Sequence, residues 1–167
     1  VIPETAAQAI RRAAHEVTPD PAALAAETGA NGVPVPGLVA AFRSAMGARE
    51  HAQYVHWGAT SQDIQDTALM LRLRQALAHA EAEIAATLAA LAALAEAHAE
   101  RAMAARTYGQ VATPTSFGAV AAGWGWPLLD LLDELAALRR ASLWVSLSGA
   151  AGTAAALGPR AGETRAA

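Results

Sequence analysis

The stretch SQDIQDTALMLRLRQALAHAEAEIAATLAALAALAEAHAERAM, from Ser61 to Met103, decides the fold, because it contains neither Gly nor Pro and its apolar residues recur every three or four positions. Such spacing is typical of one face of an α-helix. The sequence therefore predicts a single helix about 60 Å long. An apolar stripe of this length is typical of a bundle and needs partner helices to cover it. The predicted stripe consists of Leu69, Leu73, Leu77, Ala80, Ile84, Leu88, Leu91, Ala95 and His98.

The composition favours the same fold class. Alanine is abundant, Val and Ile are sparse and aromatic residues make up 5% of the chain, so an all-α fold is predicted. All 12 basic residues are Arg, so chemistry that uses a lysine amine cannot come from this segment. The absence of Cys excludes thiol nucleophiles and thiolate metal sites. A net charge of −3 with no basic run gives no indication of a nucleic-acid partner.

The hydropathy pattern predicts a protein without a membrane partner. The most apolar region, around residues 88–99, owes its hydropathy to alanine and carries Glu96 and His98, so it is predicted to be weaker than a membrane span. The lack of Cys is compatible with a reducing compartment. We therefore expect a cytoplasmic protein.

Before the long helix, the chain predicts a small subdomain of short helices. The first helix is expected over Pro3 to His15, and Asp20 is expected to cap the start of the second. Gly29 and Gly32 are expected to end that second helix. A third short helix is predicted over Gly37 to Met46.

Beyond the long helix, a break is predicted at Arg106–Pro114 and a second long helix at Thr115–Leu147, bent at Pro127 and the glycines before it. A Gly-rich break follows at Ser148–Thr153, and a third helix is expected to begin near the end. The chain begins without Met and stops in what reads as a helix start, so we expect a piece of a longer protein. The predicted core stripe of the second long helix is Leu128, Leu131, Leu132, Leu135 and Leu138.

Several further side chains receive structural predictions. The tryptophans Trp124, Trp126 and Trp144 are predicted to be packing anchors. The pair Arg139-Arg140 is predicted to complement the dipole at a helix C-terminus.

The turn VHWGATSQD, Val55 to Asp63, is the first of three irregular segments that punctuate the long helices. Thr60 or Ser61 is expected to be the N-cap and Asp63 to lie near the third helical position. Backbone N–H groups, hydroxyls and the positive helix end together suit a carboxylate ligand, and His56 could add a proton or a hydrogen bond. The alternative is an ordinary helix cap.

The second segment, RTYGQVATPT from Arg106 to Thr115, gathers a guanidinium, a phenol, an amide and hydroxyls. A plain turn needs Gly, Pro, Asn or Asp more than this combination. The third segment, SGAAGT from Ser148 to Thr153, lets a backbone approach another group closely. Either segment alone could be a simple connection.

In order, spacing and helical context, the three segments together resemble the fumarase/aspartase superfamily, and the similarity runs through essentially the whole chain. The resemblance implies a homotetramer in which long helices pair into a central bundle and each active site is shared between three subunits. It also implies that residues 1–60 are the end of an N-terminal helical domain and that residues 61–167 are the first part of a central long-helix domain.

The same resemblance assigns roles to individual residues. It implies a small polycarboxylate substrate and no metal or other cofactor. The residues expected to be catalytic are His56, Thr107 and Tyr108. The residues expected to bind substrate are Thr60, Ser61, Gln62, Asp63, Arg106, Gln110, Ser148 and Thr153.

Within the superfamily, the resemblance is greatest to bacterial cycloisomerases, which implies interconversion of a carboxymuconate and its lactone in the β-ketoadipate pathway of protocatechuate catabolism. Lyases that release fumarate from adenylosuccinate or argininosuccinate usually carry His where this chain has Tyr108, whereas the cycloisomerases commonly carry Trp. Such a fumarate-releasing lyase and a non-catalytic helical assembly module are the alternatives. The superfamily's mobile serine-bearing loop is absent from these residues, so this piece alone is expected to be inactive.

Overall fold

The computed structural model describes residues 2–166 and is mainly helical, as predicted, with one small two-stranded sheet. The chain forms two compact units. The first comprises the described parts of Val1–Leu69 and Val145–Ala167, and the second comprises Met70–Trp144. The division between units falls inside the long helix, and the segment after residue 144 belongs with the first unit. The domain boundary predicted at residue 60 concerns the whole protein and stays a prediction.

Three short helices precede the long one, as predicted. They are α1 (Glu4–Glu16), α2 (Ala25–Asn31) and α3 (Val35–Ala45), and α1 contributes Ala6, Ala9 and Ala13 to the buried core of this unit. A 3₁₀ turn at Arg49–Tyr54 follows α3 and was not predicted.

The boundaries of α2 differ in detail from the prediction. Asp20 accepts a hydrogen bond from the N–H of Ala22 at 2.9 Å, but the turn it starts, Ala22–Leu24, is 3₁₀ rather than α-helical. Gly32 ends α2 with φ of 73°, whereas Gly29 lies within the helix. Of the two glycines that were predicted to end α2, only Gly32 does so.

The long helix α4 spans Ser61–Ala97 and confirms the prediction of one continuous helix, although it ends six residues before Met103. The predicted stripe from Leu77 to His98 is its less exposed face, yet each of those residues is only partly covered. Leu69 and Leu73 are exposed. The apolar face of α4 thus stays largely open within this chain.

A β-hairpin replaces the irregular break predicted after α4. Strand β1 (Ala102–Thr107) pairs antiparallel with β2 (Gln110–Ser116). The two connecting residues, Tyr108 and Gly109, have φ of 47° and 79°, which is the pattern of a type I′ turn whose twist matches paired strands. Tyr-Gly is a weaker hairpin signal than Asn-Gly, which is why the sequence reasoning missed it.

The second long helix, α5, spans Phe117–Ser142 and is shorter at both ends than predicted. The hydroxyl of Ser116 caps its start by accepting the N–H of Ala119 at 3.1 Å. Two members of the predicted stripe, Leu131 and Leu138, are exposed, so that part of the prediction is wrong. The partly covered members are Leu128, Leu132 and Leu135.

The tryptophans of the second unit do not anchor the interior of this chain. Trp124, Trp126 and Trp144 are 55%, 70% and 69% exposed, which corrects the prediction that they are packing anchors here. Trp124 contacts the ring of Phe117 edge-on, with centroids 6.3 Å apart. The remaining faces of these rings are open to other contacts.

Arg139 of α5 forms an ion pair with Glu81 of α4, which corrects the prediction that it only complements a helix dipole. Both side chains are about one-third exposed or less, so this bond ties two helices of the second unit together. We expect Arg139→Met to lower the free energy of unfolding of the full-length protein by about 1 kcal/mol, because the pair is only partly screened by water.

The double-mutant cycle with Glu81→Gln tests this assignment by urea denaturation. In the Glu81→Gln protein, Arg139→Met should lower the free energy of unfolding much less than it does in the wild type. The neighbouring variant Arg140→Met should lower it equally in the wild type and in Glu81→Gln. Additive effects of the Glu81 and Arg139 changes would contradict a bond between them.

The chain ends with two 3₁₀ turns, Ala150–Gly152 and Ala155–Arg160, and a short helix α6 (Ala161–Ala166). The predicted break and the beginning of a further helix are both present. By length and composition α4 is apolar enough to cross a membrane, but a single helix of this kind also occurs in proteins that do not span one.

Candidate functional site

The turn before α4 has an unusual backbone. His56 and Gly58 have φ of 65° and 75°, a region in which a non-glycine residue such as His56 is strained. Arg43 of α3 donates from Nη2 to the carbonyl oxygen of Val55 at 2.7 Å and so holds the start of the turn. The tertiary fold therefore maintains a conformation that His56 would seldom adopt alone.

The helix start itself follows the predicted pattern. Thr60 immediately precedes Ser61, the first helical residue, and the N–H of Thr60 donates to Oδ2 of Asp63 at 2.9 Å. This is one half of a capping box. Among the described residues, the hydroxyls of Thr60 and Ser61 and the backbone N–H of Gln62 have no hydrogen-bond partner. These groups are available for a ligand.

Asp63 is buried, with 1% of its surface exposed, and each of its two carboxylate oxygens accepts two hydrogen bonds. Oδ2 accepts from the N–H of Thr60 and of Gly149, each at 2.9 Å. Oδ1 accepts from the hydroxyl of Ser146 and the N–H of Ser148, each at 2.8 Å. Burial by itself raises the pKa of Asp63, but the four hydrogen bonds to the ionised form outweigh it and lower the pKa to about 2.

The lowered pKa of Asp63 predicts an acid-dependent loss of stability. The pKa rises from about 2 in the fold to an ordinary value of 3.8 on unfolding. The contribution of the ionised group is therefore complete above about pH 5 and is lost as the pH falls towards 2. We expect protonation of Asp63 to lower the free energy of unfolding by about 1 kcal/mol between pH 7 and pH 3, and by about 2 kcal/mol once the group is fully protonated in the fold.

Urea denaturation of the full-length protein at pH 7 and pH 3 measures this effect. Asp63→Asn should reduce the difference between the two pH values, whereas Asp20→Asn, which changes an exposed carboxylate of the same unit, should retain it. An unchanged difference in Asp63→Asn would show that the charge of Asp63 does not favour the fold.

The third segment packs directly on the first. Gly149 has φ of 69°, and a Cβ added there would lie 2.9 Å from the carbonyl oxygen of Gly58, so the two backbones approach too closely for a side chain. The N–H of Ser146 also donates to Oγ1 of Thr67 on α4 at 3.0 Å. The close backbone approach expected from the Gly-rich sequence at 148–153 is therefore present.

The second segment lies in the other compact unit, on the hairpin of β1 and β2. Its residues Arg106, Thr107, Tyr108 and Gln110 are all exposed, and Tyr108 at the turn is completely so. The structure thus brings the first and third predicted segments together in the first unit, whereas the second segment lies on the hairpin of the second unit.

His56 lines an apolar cavity of about 270 Å³ in the first unit, together with Phe42, Val55 and Ile64. Its Nδ1 is buried and lacks a hydrogen-bond partner among residues 2–166. A buried unpaired ring nitrogen on a strained backbone is uncommon and is often found at functional positions. This supports His56 as a candidate for proton transfer.

Two predicted substrate-binding side chains have local partners. Gln62 donates to Oδ1 of Asp66 at 2.7 Å, and the hydroxyl of Thr153 donates to the carbonyl oxygen of Ala150 at 3.2 Å. Their binding roles stay predictions, and a ligand would have to compete with these bonds.

Sequence reasoning missed three residues that shape this region. Arg43, Thr67 and Ser146 all lie outside the three segments and make the contacts described above. None of them belongs to a recognisable motif. No sequence signal identifies them, because the need for donors such as Ser146 follows from the burial of Asp63, which only the fold establishes.

Comparison with known proteins places this arrangement in context. The sequence model of a protein family described as Lyase matches residues 1–166. The chain is 44% identical to 3-carboxy-cis,cis-muconate cycloisomerase of Bradyrhizobium diazoefficiens, covering 96% of this chain and 36% of that protein. It is also 44% identical to nitrosuccinate lyase of Streptomyces davaonensis, covering 92% of this chain and 33% of that protein.

A solved structure gives the same relationship in three dimensions. The fumarate lyase from Mesorhizobium sp. BNC1 superposes with a TM-score of 0.93 at 39% identity, covering 99% of this chain and 38% of that one. Adenylosuccinate lyase of Pyrococcus abyssi is similar over less of the chain, with 39% identity over 68% of it and 25% of that protein. The chain spans about a third of the length of the first two curated relatives.

Proposed function

The chain belongs to the lyase family, within the fumarase/aspartase superfamily, and from this premise we propose that the whole protein is a cofactor-free cycloisomerase that interconverts 3-carboxy-cis,cis-muconate and carboxymuconolactone. The observation that carries the proposal is the 44% identity to a cycloisomerase of that name over almost the entire chain. We also propose the β-ketoadipate pathway as its setting and the cytoplasm as its location.

The proposed reaction adds an oxygen of one substrate carboxylate to a carbon of a double bond, while the carbon alpha to another carboxylate takes up a proton. Negative charge accumulates on that second carboxylate in the transition state. Hydrogen-bond donors that are already in place stabilise such charge without reorganisation. The enzyme therefore needs fixed N–H and O–H groups around a carboxylate.

The start of α4 offers donors of this kind. The free hydroxyls of Thr60 and Ser61 adjoin an unpaired N–H of the first helical turn, at the positive end of a helix of 37 residues. We propose that these groups bind the activated carboxylate and that Thr107 adds a further donor. His56 or Tyr108 would transfer the proton.

The exposed hairpin supports a site assembled from several subunits. A phenol that is fully exposed on a two-residue turn cannot organise a substrate alone, so Tyr108 and its neighbours need a second surface. We propose that the hairpin contributes Arg106, Thr107, Tyr108 and Gln110 to the site of another subunit. The third segment, which packs on the first, would contribute Ser148 and Thr153.

A homotetramer would also cover the open apolar surface of the second unit. A groove between α4 and α5 is lined by Leu88, Leu91, Trp126 and Leu129, and the last two are 70% and 49% exposed. Burial of such side chains against helices of other copies would stabilise the assembly by about 25 cal/mol per Å² of apolar surface. This explains why the apolar stripes are incomplete within one chain.

The test is lactonisation by the full-length protein. Incubation with 3-carboxy-cis,cis-muconate should consume the ultraviolet absorbance of the conjugated diene without any added metal or cofactor. An unchanged spectrum with a folded tetramer would exclude the proposed reaction.

The second candidate is an elimination lyase, because the nitrosuccinate lyase is as similar to this chain as the cycloisomerase is. The adenylosuccinate lyase alternative has weaker support, since the similarity covers less of the chain. Formation of fumarate from nitrosuccinate or adenylosuccinate, measured against lactonisation of the muconate, separates these reactions. Tyr108, in place of the His usual in the adenylosuccinate and argininosuccinate branches, favours the cycloisomerase over them.

A further inference from the structure

The carboxylate of Asp63 has no free capacity for a ligand. An ionised carboxylate offers about four acceptor sites, and all four are used by Thr60, Ser146, Ser148 and Gly149. The side chain is also completely buried. A negatively charged group in this position would in addition repel a substrate carboxylate. These observations favour a role other than the substrate contact expected from the sequence.

The four donors come from two places that are far apart in the chain. Thr60 belongs to the turn before α4, whereas the other three are more than 80 residues later. Oδ2 accepts from both Thr60 and Gly149 at 2.9 Å, so these two backbone nitrogens lie within about 6 Å of each other. Asp63 thus fixes the backbone of Thr60 directly against the third segment.

We propose that Asp63 is a positioning residue for the carboxylate-binding turn: its buried carboxylate joins the Thr60-Ser61 helix start to the Ser146–Gly149 backbone and thereby orients the Thr60 and Ser61 hydroxyls. The inference rests on the proposed binding role of those hydroxyls. It differs from a general stabilising role, because it requires that loosening these bonds changes the binding of substrate by protein that is still folded.

Asp63→Asn is the most informative change. The side chain keeps its size, but its charge is removed and one acceptor oxygen becomes an NH₂ group that faces at least one backbone N–H, so at least one hydrogen bond is lost. Hydrogen bonds to charged groups are the strong ones, and each is sufficient to change an equilibrium by about tenfold. We therefore expect the turn and the third segment to separate locally.

Two measurements on the full-length protein test the proposal. In Asp63→Asn, the amide hydrogens of Thr60, Ser148 and Gly149 should exchange at least about tenfold faster than in the wild type. The KM for 3-carboxy-cis,cis-muconate should rise by about tenfold or more. A merely structural role would lower the folded fraction, and with it the apparent kcat, but would leave KM unchanged.

Matched variants define the effect. Ser146→Ala removes a single donor to Asp63 and should raise KM less than Asp63→Asn, whereas Ser146→Thr keeps the hydroxyl and should restore the wild-type KM. Asp20→Asn removes an exposed carboxylate from a turn outside the site and should change neither measurement.

The outcomes distinguish this inference from the proposed function. Wild-type protein that does not act on the muconate would refute the proposed function, and the exchange measurement alone would then decide whether Asp63 joins the segments. Unchanged exchange at Thr60, Ser148 and Gly149 in Asp63→Asn overturns the inference in either case. Faster exchange with an unchanged KM in an active enzyme also overturns it.

Discussion

The full-length double variant Thr60→Ala/Ser61→Ala is expected to lose about 10³-fold or more in kcat/KM for 3-carboxy-cis,cis-muconate, because both hydroxyl donors at the start of α4 disappear together. Removal of one well-placed donor to a developing charge commonly costs about 10²-fold to 10³-fold in rate. Neither hydroxyl has a hydrogen-bond partner among the described residues, so the double variant removes only hydrogen bonds to the ligand. Initial rates of diene absorbance loss measure the effect.

The fold of this double variant should be retained. The backbone N–H of Thr60 still donates to Asp63, and neither of the hydroxyls removed makes a hydrogen bond among the described residues. Thr87→Ala is the matched control, because it removes a threonine hydroxyl that donates to the carbonyl of Glu83 on the same helix. Normal turnover in Thr60→Ala/Ser61→Ala would refute the proposed carboxylate site.

Gly149→Ala is expected to destabilise the full-length protein by about 3 kcal/mol. The backbone of Gly149, with φ of 69° and ψ of −175°, lies in a region that essentially only glycine adopts, and it costs an alanine about 1–3 kcal/mol. The added Cβ would also meet the carbonyl oxygen of Gly58 at 2.9 Å, and this oxygen belongs to the backbone and cannot easily move. Relieving the clash would lengthen the hydrogen bond from Gly149 to Asp63. Urea denaturation gives the free energy of unfolding.

Gly152→Ala is the control for a positive φ without a close backbone contact. Gly152 has a similar φ of 71°, but a Cβ added there meets nothing within 4 Å. Its alanine variant should therefore show only the conformational cost of about 1 kcal/mol. Equal losses in the two variants would mean that the close approach to Gly58 contributes nothing to stability.

The helical elements were predictable because their causes are local. The spacing of apolar residues between Leu77 and His98, uninterrupted by Gly or Pro, specifies a helix with one apolar face. The start of α4 was also predictable, since Thr60 and Asp63 interact across a single helical turn. Local patterns of this kind need no knowledge of the rest of the chain.

The hairpin shows where local reasoning fails. Its turn depends on Tyr108 adopting φ of 47°, a conformation that the residue type does not favour and that pairing of β1 with β2 stabilises. The helix stripe also misled, since Leu131 and Leu138 fit the 3.6-residue period but are exposed. Periodicity identifies a helix more reliably than it identifies which apolar residues a single chain covers.

The sequence by itself determined the helical class, the long helix that begins at Ser61, and the three polar segments from which the site was inferred, because each depends on residues a few positions apart. Only the tertiary structure decided what Asp63 does. Its partners Ser146, Ser148 and Gly149 are more than 80 residues away, and a buried carboxylate accepts whichever donors the fold brings to it. Hydrogen bonds between residues so far apart produce no repeating pattern in the sequence that would predict them.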